Sequence, residues 1–265
     1  MPADLDIIVV VPAYNEEKTL PVLVSQIKQL TRHIVVVDDG STDGTSTVAR
    51  RGGAVVVRLT KNQGKGRAAR LGLWYAVVRY QPRQPLVAIM DADRQHSPLD
   101  LPSLVKVQRQ TEADVVVGRR ILVDGDGPLP TYFRQRYVVN HLTSKFIRIV
   151  YRLPTTDLHS GYRLYKRTSL ERLLLGLRSR KFELETEVLL EAWAWGQQVA
   201  EVPVRLIYPP EEEYSSNIRP LDGWRWFWLV LRRMIDWRYY TNRRRCLSQA
   251  TTQRRSEFRE PSEKF

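Results

Sequence analysis

Four short runs of aliphatic and β-branched residues dominate the first third of the chain: Ile7–Val11, Ile34–Val37, Ala54–Val57 and Leu86–Ile89. Each gives way at once to a polar loop rich in Asp, Asn or Gly. Helical patterning fills the stretches from about Lys18 to Leu30 and from the third loop to about Tyr80. Runs this short, apolar and bounded by turn residues read as buried strands. Strands alternating with helices predict an α/β domain with a mostly parallel central sheet flanked by helices, which takes its ligands at the carboxyl ends of the strands.

The loops carry the chemistry. The fourth is Met90-Asp91-Ala92-Asp93-Arg94-Gln95-His96, and its alternate spacing delivers Asp91 and Asp93 to one side of the backbone. A few hard oxygen ligands suit Mg2+ or Mn2+, which fill the rest of their coordination with water and a substrate diphosphate. An isolated Asp-x-Asp reads more readily as a solvated turn, so the other three loops matter. The second loop runs from Asp38 to Thr45; Asp39-Gly40 makes a tight turn there, and the neighbouring carboxylate can accept from a base N–H or a ribose hydroxyl. In the third, Lys61-Asn62-Gln63-Gly64-Lys65-Gly66-Arg67 opens a helix. Its glycines allow close backbone approach, the helix start favours anions, and three cations add charge. A plain strand-to-helix turn explains any one of these loops but not the set.

In their order and spacing, VPAYNEE, VDDGSTDGT, KNQGKGRAARLG and DADRQH resemble the family 2 glycosyltransferases of the GT-A fold. Within that family the likeness is to the dolichyl-phosphate and other polyprenyl-phosphate mannose or glucose synthases, over roughly residues 6 to 235. The resemblance implies a Rossmann-like domain and a nucleotide-sugar donor of the UDP-glucose or GDP-mannose class. Pro12, Tyr14, Asn15, Glu16, Asp38 and Asp39 would hold its base and ribose, with Lys65 near the diphosphate. Asp91, Asp93 and Gln95 match the metal positions. Arg94 stands where a small residue, often Gly, is expected; it either alters metal affinity or points to solvent.

The second half supplies the acceptor side. Asp114–Arg120 reads as a strand ending in a cation pair, and Arg119 matches the family's Gly-x-Arg position. A helical stretch from about Tyr132 to Tyr151 carries Arg136 and Asn140 one turn apart on a common face. By resemblance Arg136 is an acceptor-phosphate arginine, and Asn140 replaces an expected Ser while still able to donate. Guanidinium groups suit multi-donor recognition of phosphate, although a chain this basic also has ordinary basic surface. Thr155–Arg163 resembles the element that shapes the sugar pocket, with Asp157, Ser160, Gly161 and, from the following helix, Glu185. Acidic residues in that helix's first turn also satisfy its dipole. Within 211–220, a polar loop resembles the family's mobile loop, where Arg219 would reach the donor phosphates.

The mechanism depends on the acceptor. A polyprenyl phosphate is already an anion, so in-line inverting attack needs Arg119 and Arg136 to place it but no strong base. A hydroxyl of a lipid or glycan needs a carboxylate to take its proton, and Asp157, Glu183, Glu185 or Glu187 then becomes essential.

At 265 residues, 43% apolar and formally +13, the chain has material for one substantial domain and favours an anionic partner. Nucleic acid is not expected, because the basic residues share loops with Asp91, Asp93 and Asp157. No run approaches the ~18–20 apolar residues of a membrane span, and the start lacks a signal peptide's organisation. The expectation is a cytoplasmic enzyme lying peripherally on a membrane face. Cys246 stands alone, which excludes an intrachain disulfide. The catalytic domain is placed at 1–220 and a basic, disordered tail at 243–265. Between them, 221–242 forms an aromatic and arginine-rich helix. Wound as a helix, it groups Arg225, Arg232, Arg233 and Asp236 against Trp224, Phe227, Trp228, Leu231 and Ile235. It reads as a membrane-interfacial helix or as one packed on the domain.

Overall fold

The computed structural model describes residues 5–80, 85–121, 131–151, 153–181, 183–207, 228–230 and 232, with the backbone alone for 131–140. Among the described residues seven strands and seven α-helices follow one another. They are β1 (Ile7–Ala13), α1 (Leu20–Lys28), β2 (His33–Asp38), α2 (Thr45–Arg51), β3 (Val55–Arg58), α3 (Lys65–Arg79), β4 (Leu86–Ile89), α4 (Leu101–Thr111), β5 (Val115–Ile121), α5 (Thr131–Tyr151), β6 (Arg163–Lys166), α6 (Arg167–Gly176), α7 (Leu184–Ala194) and β7 (Val199–Arg205). The strands form one sheet in the order β3-β2-β1-β4-β6-β5-β7.

Alternation along the strands builds two cores. Ile8, Val10, Val35, Val37, Val87 and Ile89 point to one face, where α3, α5, α6 and α7 bury their apolar sides. Their neighbours Ile7, Val9, Val11, Ile34, Val36 and Ala88 point to the other, covered by α1 and α4. Both faces are dry, so the strands are apolar throughout rather than alternating. Tyr151 at the end of α5 meets Trp193 of α7 edge to face at 5.4 Å, closing the first core.

Strands β1 to β4 are mutually parallel, and β5 runs parallel to β7. The exception is β6, antiparallel to both β4 and β5. Its reversal brings the loop from Leu153 to Tyr162 to the carboxyl edge, where the loops after β1, β2, β3 and β4 already meet. That edge is where residues distant in sequence converge. Arg219, the loop 211–220, most of 221–242 and the tail 243–265 lie outside the described residues, as do the side chains of Arg136 and Asn140.

Candidate active site

The first three loops brace one another. Asn15 takes a left-handed backbone (φ 56). Its N–H donates to Ser41 Oγ at 2.9 Å, and its side-chain oxygen accepts from the Thr42 N–H at 2.9 Å. Glu16 N–H donates to Thr45 Oγ1 at 2.8 Å. Pro12 is buried within β1, while Tyr14 and Glu16 are half-buried. Asp38 is fully buried and accepts from the Ser41 N–H at 2.8 Å and from the Ser46 hydroxyl. Asp39 accepts from the N–H groups of Gln63 and Gly64, both at 2.8 Å. Asp38 therefore braces the second loop internally, and Asp39 ties it to the third.

The glycines of the third loop serve a similar end. Gly64 has φ +98, and a Cβ there would lie 2.6 Å from the Arg180 carbonyl oxygen. The Arg67 N–H donates to that same oxygen at 3.0 Å. The close approach the glycines permit is to the backbone of Arg180 and Lys181, which crosses the start of α3.

Lys65 reaches over this crossing to bridge two carboxylates, Asp91 Oδ2 at 2.8 Å and Glu185 Oε1 at 2.9 Å. Burial works against its charge, but the two carboxylates outweigh it and raise its pKa. Glu185 is held in place by Arg163, whose guanidinium donates to the carbonyl oxygens of Glu185 at 2.6 Å, Leu158 at 2.8 Å and Ser160 at 2.9 Å. Gly161 completes the pocket, since a Cβ there would stand 2.5 Å from Asp91 Oδ2. Ser160 is buried, its hydroxyl donating to the Gly118 carbonyl at 2.6 Å. Beneath these groups lies a cavity of about 20 Å³ lined by Lys65, Asp91, Gly161, Arg163, Leu184 and Glu185.

Carboxylates are crowded at the mouth. Burial and then the charge of Asp91 push the Asp93 carboxyl up to about 7, with a smaller contribution from Glu16. Glu16 is itself raised, first by burial and then by Asp91 and Asp43, against a hydrogen bond with Thr19. For Asp91, burial is outweighed by Lys65, and its pKa falls. Asp91 Oδ1 is buried with no hydrogen-bond partner among the described residues. Hard oxygens under mutual repulsion, one of them unsatisfied, fit a divalent cation. Among the described residues no three His, Cys, Asp or Glu side chains are arranged to hold one unaided, so such an ion would depend on further oxygens from a bound diphosphate. Gln95, half-buried, donates its N–H to Asp93 Oδ1 at 3.1 Å and accepts from the Ile207 N–H at 3.0 Å. Arg94 has φ 59 and an exposed side chain. That backbone conformation accounts physically for a glycine preference at this position.

Two residues whose roles sequence reasoning passed over, Arg120 and Glu201, organise the side of this edge next to β5. Arg120 forms a two-pronged pair with Asp157, both contacts at 2.7 Å. Burial opposes ionisation of Asp157, but Arg120 prevails and holds the carboxyl at about 2. Glu201 of β7 accepts from the Thr155 hydroxyl and the Thr156 N–H, each at 2.5 Å, and from the Asp157 N–H at 3.2 Å. Its other oxygen stands 3.8 Å from Arg119 Nε. Strand alternation was the available signal for Arg120: adjacent residues on β5 point oppositely, so only one of two consecutive arginines can turn inward. His96 and His159 are each pushed down to about 4, by burial and then by Arg120. Both are neutral at physiological pH.

A two-sided α/β sheet with a reversed strand, and with these loops gathered at its carboxyl edge, has the architecture of a GT-A nucleotide-sugar transferase domain. The family model for glycosyl transferase family 2 matches residues 8–174, and the chain belongs to that family. It is a glycosyltransferase. An uncharacterized protein of Methanocaldococcus jannaschii is 31% identical over 217 residues, covering 80% of this chain and 84% of the relative. A hexosyltransferase of low-salt glycan biosynthesis from Haloferax volcanii is 31% identical over 82% of this chain, which spans 51% of that protein. The undecaprenyl-phosphate mannosyltransferase of Micrococcus luteus is 28% identical, with 76% of this chain and 83% of the relative covered. Among solved structures, glucosyl-3-phosphoglycerate synthase from Mycobacterium tuberculosis, in complex with Mn2+, UDP and glucosyl-3-phosphoglycerate, superposes with a TM-score of 0.61 at 23% identity. That match covers 86% of this chain and 79% of the synthase, and it concerns the fold.

Proposed function

We propose that this glycosyltransferase moves a hexose, glucose or mannose, from a nucleoside diphosphate sugar to a polyprenyl phosphate at a membrane surface, with inversion at the anomeric carbon. The observation that carries the donor half is the crowding of Asp91, Asp93 and Glu16 against Lys65. Three crowded carboxylates sharing one lysine at the carboxyl edge of the sheet suit a ligand that arrives with a cation. Asp91 and Asp93, with Gln95 beside them, would hold Mg2+ or Mn2+, and the ion when bound neutralises charge on the leaving nucleoside diphosphate. The Mn2+ and UDP of the M. tuberculosis synthase accord with this reading.

Within the chain, Lys65 supplies a positive charge beside the same carboxylates, and Glu185 keeps its ammonium directed into the pocket. The loops after β1 and β2, with Pro12, Tyr14, Asn15, Glu16, Asp38 and Asp39, form the donor-side wall in this proposal, Asp38 and Asp39 as its buried anchors. Arg219 would add a cation to the diphosphate. Ser160 and Gly161 keep the floor of the sugar pocket small, and Arg119, Arg136 and Asn140 receive the acceptor phosphate.

With Asp93 and Glu16 assigned to the cation in this proposal, the scarcity of a further usable base supports a phosphate acceptor. Asp157 is held at about 2 by Arg120 and is a poor proton acceptor at neutral pH. Glu187 accepts from the N–H groups of Arg178 and Ser179, at 3.0 and 2.8 Å, and Glu185 is engaged by Lys65. A hydroxyl-acceptor reading would rest on Glu183, one of whose buried oxygens has no hydrogen-bond partner among the described residues. A lipid phosphate oxygen carries its own charge and needs only to be placed. The undecaprenyl-phosphate substrate in the M. luteus relative's name agrees with that acceptor.

The test is transfer of radiolabel from a panel of nucleotide sugars to polyprenyl phosphate in detergent, with Mg2+ or Mn2+, read by organic extraction. Label in the lipid phase with a β-linked product from an α-linked donor is expected. Donor hydrolysis or binding with no lipid label, and transfer to a hydroxyl acceptor that Glu183→Gln abolishes, would replace this reading by the other.

A further inference from the structure

The second half of α5 has an unusual outer face. Ser144, Ile147 and Tyr151 are buried, at 2%, 0% and 2% exposure, and fix the side of the helix that meets the domain. At about 100° per residue, the opposite side is centred on Leu142, Phe146 and Ile149. These stand 59%, 48% and 68% exposed. A helix on the surface of a soluble domain ordinarily turns polar residues outward there. Here the polar residues are displaced to one flank, where His141, Lys145 and Arg148 are all exposed.

A second copy and lipid are the two occupants whose charge can be weighed against this stripe. Three partly exposed side chains along two turns fall well short of the ~800 Å² per partner of a stable protein interface. A second copy would also bring the same cationic flank and a second chain of formal charge +13 against the first. An anionic bilayer has the opposite preference. Apolar side chains can enter the acyl boundary while Lys145 and Arg148 extend along it to lipid phosphates.

We propose that the outer face of α5, through Leu142, Phe146 and Ile149 with Lys145 and Arg148, is a surface on which this glycosyltransferase lies against anionic lipid. It deepens the polyprenyl-phosphate reading and rests on it for its biological sense: α5 also carries Arg136 and Asn140, so one helix would contact the membrane and receive the lipid's phosphate. The surface itself is defined by exposure and charge alone.

The experiment is co-sedimentation of the full chain with vesicles of phosphatidylcholine alone or with about a third phosphatidylglycerol. The variants are Leu142→Ser/Phe146→Ser/Ile149→Ser and, separately, Lys145→Glu/Arg148→Glu. All five residues are exposed, and thermal melts report whether each variant keeps its fold. The expected result is binding of the wild type to anionic vesicles, reduced at least tenfold by the serine variant. The charge variant should lose preference for anionic over neutral vesicles. Transfer to a short, water-soluble polyprenyl phosphate analogue without vesicles should be unchanged in the serine variant. Vesicle binding equal to wild type in both folded variants would overturn the proposal, as would a wild type that ignores anionic vesicles. Loss of self-association by the serine variant in sedimentation, with vesicle binding intact, would assign the stripe to a second copy. If vesicle binding behaves as expected but the wild type fails to glycosylate the soluble analogue, the acceptor reading falls and the surface stands.

Discussion

Asp157 illustrates how a residue can be found in a sequence and its partner missed. Its place in a motif drew attention to it, and the expectation was contact with sugar hydroxyls. In the structure its carboxylate is occupied by Arg120. The partner was hidden because the pairing spans 37 positions and depends on which of two adjacent arginines turns inward. Glu201 was hidden more deeply, since nothing near it in sequence announces that β7 will lie beside β5 and meet the turn at Thr155. The Asp157–Arg120 pair makes a measurable prediction. The folded pKa of about 2 lies below the ordinary 3.8, so the ionised carboxylate stabilises the fold at every pH above about 4. That contribution, about 2 kcal/mol at 1.36 kcal/mol per unit, is lost as pH falls through the folded value. Urea denaturation from pH 7 to pH 2 should therefore show an acid limb that Asp157→Asn flattens, with the variant already less stable at neutral pH. An unchanged limb in the variant would assign the acid sensitivity to other carboxylates.

At the scale of elements, strands β1 to β4 and helices α1 and α3 were legible because each has an unambiguous period and a loop of turn residues to end it. Strand β6 was not. Arg163-Leu164-Tyr165-Lys166 is four residues long, and nothing in it encodes direction. Its antiparallel setting follows from the tertiary path between α5 and α6. The third loop was legible as a close-approach site, but the approaching group could not be read: Arg180 and Lys181 lie more than a hundred positions away and pack there as backbone. The consequence falls on Gly64. Alanine in its place must hold φ near +98 and push against the Arg180 carbonyl oxygen, so Gly64→Ala should destabilise by about 1–3 kcal/mol. In a domain of this size the melting temperature should fall by about 2–4 °C for each kcal/mol. Lys65 follows directly on this turn, so donor affinity measured by calorimetry should weaken as well. A variant with wild-type melting and donor affinity would mean that the segment at Arg180 yields readily.

For the whole molecule, the site is a place where the fold accepts repulsion so that a charged ligand can relieve it. The described loops at the carboxyl edge are tied together, by Asn15 to Ser41, Asp39 to Gly64, Lys65 to Asp91 and Glu185, and Glu201 to Thr155. This scaffold prevents Asp93, Asp91 and Glu16 from moving apart. Among the described residues no helix is long and apolar enough to cross a membrane. Asp93→Asn tests the strain directly, because it keeps shape and removes one charge. Without divalent cation the variant should melt higher than the wild type, by about 2–4 °C for each kcal/mol of repulsion relieved, while losing transfer activity at least a hundredfold. Adding Mn2+ with a nucleoside diphosphate should raise the wild-type melting temperature and leave the variant nearly unmoved, and EDTA should reverse the wild-type gain. The two melts separate the alternatives: if Asp93→Asn is less stable in EDTA, Asp93 is part of the scaffold, and if it gains as much from Mn2+ and nucleotide as the wild type, the cation is held elsewhere.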